Sequence, residues 1–312
     1  MASTVTKKKS AAGSATAKAA RWKIRRAGEL QVLEPPAFAP LDWLAHGFST
    51  RAGGESDLDG ARVFNLGLTE WDSPERVTGN RAKFFAAIGA AQMRPITLRQ
   101  IHSDIVQRVD ASSMQKLANE PPQGDALFTR ERGILLCVQT ADCVPVLLAD
   151  TKIRAVAAIH SGWRGTLRHV AAKALGRMQM EFGTQPKDVV AALGPAIGRC
   201  CYEVGAEVAR EFEAQFSSAR EWFDGPFEAV ATGENDSNWL PWLTMRPPGH
   251  PLPSPRVHLD LIAANRAILA AAGVPARQIF ASDLCTACRT DVLFSYRKEG
   301  KTGRMMAAIA IR

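Results

Sequence analysis

The sequence predicts an α/β protein in which short buried strands alternate with amphipathic helices. Three apolar runs at the centre, Ile134–Val138, Val144–Leu148 and Ala155–Ile159, have strand length and are bounded by turn residues. Helical spacing flanks them on both sides, with Val77, Phe84, Phe85 and Ile88 before and Val170, Ala174, Leu175 and Met178 after. A chain of 312 residues, 46% hydrophobic and 22% charged, is large enough for one big core or two smaller ones.

Residues 1–28 hold eight of the 39 basic residues and no acid, leaving 31 basic residues against 31 acidic ones in the rest. The formal charge of +8 therefore belongs to a tail rich in Ala, Ser, Thr and Lys, expected to be disordered and solvated. A neutral body lacks the basic footprint of phosphate-backbone binding, which confines any nucleic-acid contact to the tail. The tail is a weak match to an organellar transit peptide and has no apolar run of signal-peptide or membrane-span length. Six cysteines without a secretory signal suggest free thiols in a reducing compartment, by default the cytoplasm.

Residues 29–312 are expected to form the folded body. Phe48-Ser49-Thr50-Arg51 runs into a Gly53-Gly54 turn, and Phe64-Asn65-Leu66-Gly67 follows as a second loop. Ser73 or Asp72 caps a helix whose first turn holds Pro74. After the three central strands, Gly162 and Gly165 give a tight turn into a helix from about 166 to 182, with His169 on one face. Val189–Leu193 reads as a strand broken by Gly194-Pro195, and 203–216 as an amphipathic helix. Seven prolines between 217 and 257 mark an insertion or long loop. A helix over 259–272, a strand near Ile279 and a closing hairpin, 293–297 with 305–311, complete the pattern. Gly300-Lys301-Thr302 is like the end of a phosphate loop, but Ser295 stands where that motif needs glycine, so it reads as the hairpin turn.

The chemistry concentrates in three segments: Gln100-Ile101-His102-Ser103, Thr140-Ala141-Asp142-Cys143, and His160-Ser161-Gly162-Trp163-Arg164-Gly165. Alone, Cys143 reads as a core cysteine. Asp142 beside it is a poor core residue, however, and His160 follows at the distance of a strand, a turn and a returning strand, so adjacent strands bring the two side chains together. His102 is a candidate third ligand. A thiolate and two imidazoles form a three-ligand zinc site with an open fourth position. Arg51 and Arg164 sit in glycine-rich turns from which a guanidinium can clamp phosphate or carboxylate. Gln100 is a candidate substrate or supporting contact. Cys285-Thr286-Ala287-Cys288 has the spacing of a redox or half-zinc site, and Cys200-Cys201 can supply a second half, although the pairs do not form a linear knuckle pattern. His46, His250 and His258 read as structural.

Taken together, Ser49-Thr50-Arg51, Asn65-Leu66-Gly67, Gln100-Ile101-His102, Gly124-Asp125-Ala126, Ala141-Asp142-Cys143-Val144-Pro145, His160-Ser161-Gly162-Trp163-Arg164, Leu193-Gly194-Pro195, Cys285-Thr286 and Phe294-Ser295-Tyr296-Arg297 resemble the YfiH or laccase-domain family from about residue 45 onward. The resemblance implies a single α/β domain of layered mixed sheets flanked by helices, and zinc held by His102, Cys143 and His160. It further implies phosphorolysis of purine nucleosides, methylthioadenosine included, with adenosine deamination as a side activity. Cys143, His160 and Asp142 are then the expected catalytic residues, and Arg51, Asn65, Gln100 and Arg164 the substrate contacts, with purine nucleosides and phosphate as partners. Other members are described as peptidoglycan editing factors or polyphenol oxidases. Copper is the alternative ion, but six histidines without an H-x-H pair are a poor basis for multicopper chemistry. A metal-free cysteine amidohydrolase acting on a cell-wall precursor, with Cys143 as nucleophile and His160 as base, is the alternative mechanism.

Overall fold

A computed structural model describes residues 22–113, 120–225 and 256–312. The chain opens on the hairpin β1 (Lys23–Ala27) and β2 (Leu30–Glu34), then runs through β3 (Leu44–Ser49), the ribbon β4 (Ser56–Leu58) and β5 (Ala61–Val63), and helix α1 (Pro74–Ala87). Next come β6 (Arg94–Ile96), β7 (Val106–Arg108), β8 (Ala126–Thr129), β9 (Ile134–Thr140), β10 (Val144–Asp150) and β11 (Ala155–Ser161). Helices α2 (Trp163–Leu167) and α3 (Val170–Phe182) lead to β12 (Val189–Leu193), β13 (Glu203–Gly205) and α4 (Ala206–Gln215). The last elements are β14 (Phe223–Asp224), β15 (Arg256–Leu259), α5 (Leu261–Ala271), β16 (Ile279–Ala281), α6 (Tyr296–Glu299) and β17 (Met305–Ile311).

Two six-stranded sheets dominate the described residues, in the orders β1-β2-β3-β17-β9-β6 and β16-β12-β10-β11-β8-β7. The period of two along each strand explains how they stack. On β9, Leu136 and Val138 enter the core between the sheets, where Leu147, Ala149, Val156 and Ala158 of β10 and β11 meet them. Leu135 and Cys137 of β9 face the other way, onto Phe84 and Phe85 of α1. The opposite residues of β10 and β11, among them Val146, Leu148 and Ile159, pack under Leu175 and Met178 of α3 and Leu261 and Leu269 of α5. The order is helix, sheet, sheet, helices. Central strands covered on both faces read as unbroken apolar runs, which is why the sequence announces them so clearly.

The predicted α/β architecture with layered mixed sheets holds, and α1 starts where expected, with Ser73 Oγ accepting from Arg76 N at 3.3 Å. Several boundaries differ. Residues 1–21 lie outside the described residues, but Lys23–Ala27, assigned from sequence to the disordered tail, pair with β2 as an edge strand. The basic residues face outward there, and Arg25 is held by Glu34 Oε1 and by the Ala87 carbonyl at 2.8 Å. The helix expected over 166–182 is two helices broken at His169, which sits at φ +60° ahead of α3 instead of on a helix face. Glu203–Gly205, expected as helix, pairs with β15. The ends of the proline-rich stretch are built into the core through Ala219, Trp222, Phe223 and Val257, while 226–255, with His250, lie outside the described residues. The closing hairpin is absent: Ser295 caps α6, and β17 pairs with β3 and β9.

Candidate metal centre and its cleft

Cys143 lies at the corner where the chain leaves one sheet for the other, between the end of β9 and the start of β10. Its neighbour Asp142 takes φ +97°, a conformation that costs a non-glycine residue about 1–3 kcal/mol unless its surroundings enforce it. Here they do. The Asp142 carboxylate accepts from Thr286 Oγ1 at 2.6 Å, Ser295 Oγ at 2.7 Å and Arg297 N at 2.7 Å, and its carbonyl accepts from Ile197 N at 2.8 Å.

Antiparallel pairing of β10 with β11 sets Pro145 opposite His160 and Val144 opposite Ser161, which brings the Cys143 thiol beside the His160 ring. His102 arrives from a loop, at φ +56°, and its Nε2 stands 3.8 Å from Cys143 Sγ. The ligand atoms of all three residues lie within 4.8 Å of one another, and the two imidazoles meet edge to face with centroids 4.9 Å apart. Gly162 makes room for this. A Cβ there would stand 2.9 Å from Cys143 Sγ and 3.1 Å from His102 Cδ2.

The residue that organises the group is Asp125, part of the Gly124-Asp125-Ala126 motif but not among the expected site residues. Its fully buried carboxylate accepts from His102 N at 3.1 Å, Ser103 N at 2.6 Å, Ser103 Oγ at 2.7 Å and His160 Nδ1 at 2.8 Å. With Nδ1 committed to Asp125, His160 turns Nε2 toward Cys143, the carboxylate–histidine arrangement typical of metal sites. The available signal was a lone acid entering the apolar strand β8: a buried carboxylate needs donors.

Electrostatics tie the three groups together. Burial pushes the Asp125 carboxyl up, but the hydrogen bonds from His160 and Ser103 outweigh it and hold the group below its ordinary range. Burial also opposes ionisation of Cys143, yet the His160 charge and the hydrogen bonds to His102 and His160 bring the thiol down to about 6. Against its own desolvation, His160 rises to about 9 because Cys143 and Asp125 stabilise the imidazolium. A thiolate poised beside two imidazoles is a ligand set ready for a borderline-soft cation.

The group opens onto a cleft of about 490 Å³ whose walls include Gln100, Asp142, Tyr202, Tyr296, Arg297 and Arg304. Gln100 lines it, but both ends of its amide are bonded to the Gln139 backbone at 2.8 Å, a bracing role. Three other expected substrate contacts lie elsewhere. Arg51 binds Glu299 Oε1 at 2.7 Å and the Thr290 carbonyl at 2.5 Å, tying down the chain around α6. Asn65 is wholly buried and folds its own loop, with Oδ1 accepting from Gly67 N and from Arg304 N. Arg164 is exposed and stacks on Trp163, 4.5 Å from the ring centroid. Arg51 does sit in a turn, but one that faces packed chain, whereas Arg164 lies in the first turn of helix α2 and faces solvent. The arginines of the cleft, Arg297 and Arg304, come from the C-terminal segment and stack on Tyr202 and Tyr296 at 5.1 and 5.6 Å.

A family model described as multi-copper polyphenol oxidoreductase laccase matches residues 45–312. The chain belongs to this laccase family. A purine nucleoside phosphorylase from Bacteroides thetaiotaomicron is 34% identical over 273 residues, 86% of this chain and 92% of that protein. Adenosine deaminase RL5, from an unknown prokaryotic organism, is 33% identical over 84% of this chain and 92% of its own length. The crystal structure of YlmD from Geobacillus stearothermophilus superposes with a TM-score of 0.74 at 31% identity, covering 92% of this chain and 98% of that one. The laccase-family fold expected from the sequence motifs is thus the fold found.

Proposed function

We propose that this laccase-family chain is a zinc-dependent purine nucleoside phosphorylase with adenosine deamination as a side activity. The observation that carries the reading is the His102, Cys143 and His160 group at the floor of a cleft that also presents two arginines and two tyrosines. The names of the relatives supply the substrate class, a purine nucleoside and phosphate. Three ligands with a cleft on the fourth side fit zinc, which when bound supplies a positive charge to polarise a substrate oxygen or a water.

The chain's own residues do the rest. Arg297 and Arg304 offer guanidinium groups to the phosphate, whose oxygen attacks C1′ of the ribose as the bond to the purine nitrogen breaks. The departing base takes the bonding electrons and a proton. Burial pushes the Tyr202 phenol up, so it stays protonated and able to donate to a purine nitrogen. Asp125 holds His160 Nδ1, and Asp142 fixes the turn that presents Cys143. No helix among the described residues is long and apolar enough to cross a membrane, and the six free cysteines fit a reducing cytoplasm.

The paired thiolate and imidazolium also suit a cysteine nucleophile working on an amide. Metal analysis alongside nucleoside assays separates the two. A zinc ion that His160→Ala removes, with phosphate-dependent release of adenine or hypoxanthine lost along with it, supports the phosphorylase. Zinc content unchanged by His160→Ala, in protein that leaves nucleosides intact, would overturn it in favour of the nucleophile.

A further inference from the structure

Outside the cleft, four of the six cysteines meet. The Sγ atoms of Cys200, Cys201, Cys285 and Cys288 all lie within 4.8 Å of one another, with Cys288 3.5 Å from Cys200 and 3.4 Å from Cys201. All four are free, and these separations far exceed a disulfide bond of about 2.05 Å. A tetrahedral ion with sulfur ligands at about 2.3 Å has sulfur–sulfur edges of about 3.8 Å. We propose that these four cysteines hold a second, structural zinc ion.

The backbone supports the assignment independently of the sulfur spacing. Gly198 N donates to Cys285 Sγ at 3.1 Å. A Cβ on Gly198 would approach Cys285 Cβ to 3.1 Å and Cys200 Sγ to 3.3 Å, so the loop needs glycine to bring the two pairs this close. Arg289 N returns to the Cys285 carbonyl at 3.0 Å, curling the C-x-x-C segment into a knuckle. Four sulfurs in one place cannot all ionise without a cation among them. A set confined to this radius fits a single ion rather than a larger iron–sulfur cluster, and four thiolates leave no open position for substrate. Cys200 and Cys288 are exposed, which gives the ion a way in.

The position of the site explains what the ion does. Its two halves lie on the loops that leave the parallel neighbours β12 and β16, already joined by Thr286 N to the Ala196 carbonyl at 3.0 Å. Thr286, inside the knuckle, gives its hydroxyl to Asp142, and Ile197, on the other loop, gives its N–H to the Asp142 carbonyl. The second ion staples the two loops that hold the turn carrying Cys143.

The test is zinc content and cobalt(II) spectroscopy on the full chain, purified anaerobically without chelator. In the background His102→Ala, Cys143→Ala, His160→Ala, which empties the cleft, one zinc per chain should remain. Once that zinc has been stripped with chelator and the chelator removed, added cobalt chloride should give intense thiolate-to-cobalt charge-transfer absorption. Cys288→Ala should abolish both signals and Cys288→His should restore the bound zinc, which a folding defect would not do. The proposal is overturned by a cleft-emptied protein with neither zinc nor the cobalt signal. Iron with inorganic sulfide, or a native mass lower by two hydrogens per disulfide, would overturn it as well.

Discussion

Asp125 connects His102 to His160 through one buried carboxylate, so its replacement disturbs two of the three candidate ligands at once. Asp125→Asn should lower zinc affinity about 10–100-fold, with turnover falling in parallel, as competition against a chelator and assays at fixed free zinc will show. At Cys143 the sign is set by the neighbouring imidazolium: the thiol is brought down to about 6, so in metal-stripped protein it is mostly thiolate at neutral pH. Alkylation of Cys143, mapped by mass spectrometry, should therefore rise with a midpoint near pH 6, and His160→Ala should move that midpoint sharply upward. An unchanged midpoint would mean that His160 does not stabilise the thiolate. Cys143 and His160 were legible as residues because β10 and β11 follow each other in the chain. His102 was not placed so directly, since it reaches the site from a loop steered by a carboxylate far along the sequence.

Gly162 occupies the turn from β11 into α2, a position where the element's geometry and the ligand geometry are the same constraint. Gly162→Ala keeps an allowed backbone but drives a methyl against Cys143 and His102. The expected outcome is a folded protein that loses the cleft zinc and keeps the ion of the four cysteines, judged by circular dichroism together with metal analysis. Elements whose two faces are both buried were readable from the sequence. The break between α2 and α3 was not, because apolar spacing continues past His169, and only its backbone conformation ends the first helix. The expected C-terminal hairpin failed for a related reason. Leu293 and Phe294 are apolar because they are buried beneath Arg51, with the guanidinium 4.8 Å from the Phe294 ring centroid, and not because they pair as a strand.

For the molecule as a whole, the stacked sheets dominate stability, and Leu136→Ala in the core between them should cost about 2–5 kcal/mol in urea unfolding. Acid sensitivity has a separate source. Burial lowers His46 to about 4 from an ordinary 6.5, and its Nδ1 has no partner among the described residues. The fold holds His46 neutral, whereas the unfolded chain takes up a proton below pH 6.5. Stability from this residue is therefore intact above pH 6.5 and lost as pH falls toward 4, by about 2–3 kcal/mol. His46→Phe, which keeps a ring against Phe38, should flatten the decline in urea midpoint between pH 7 and pH 5. The layered architecture was legible because alternation and apolar runs encode layers. The way the layers deliver Cys143 to their shared corner was not, since it depends on which sheet each strand joins.

That corner sets an order of events in the life of the chain. His160 ends β11 and Cys143 precedes its hairpin partner β10, so these two meet as soon as the hairpin pairs, while His102 hangs on the Asp125 carboxylate next to β8 and joins them only when β8 pairs with β11. The hairpin alone offers an ion two ligands, and the third arrives with the long-range pairing of β8. An ion held by the hairpin alone is loosely held, and the selection among zinc and its competitors falls to the complete three-residue set that the assembled sheet presents.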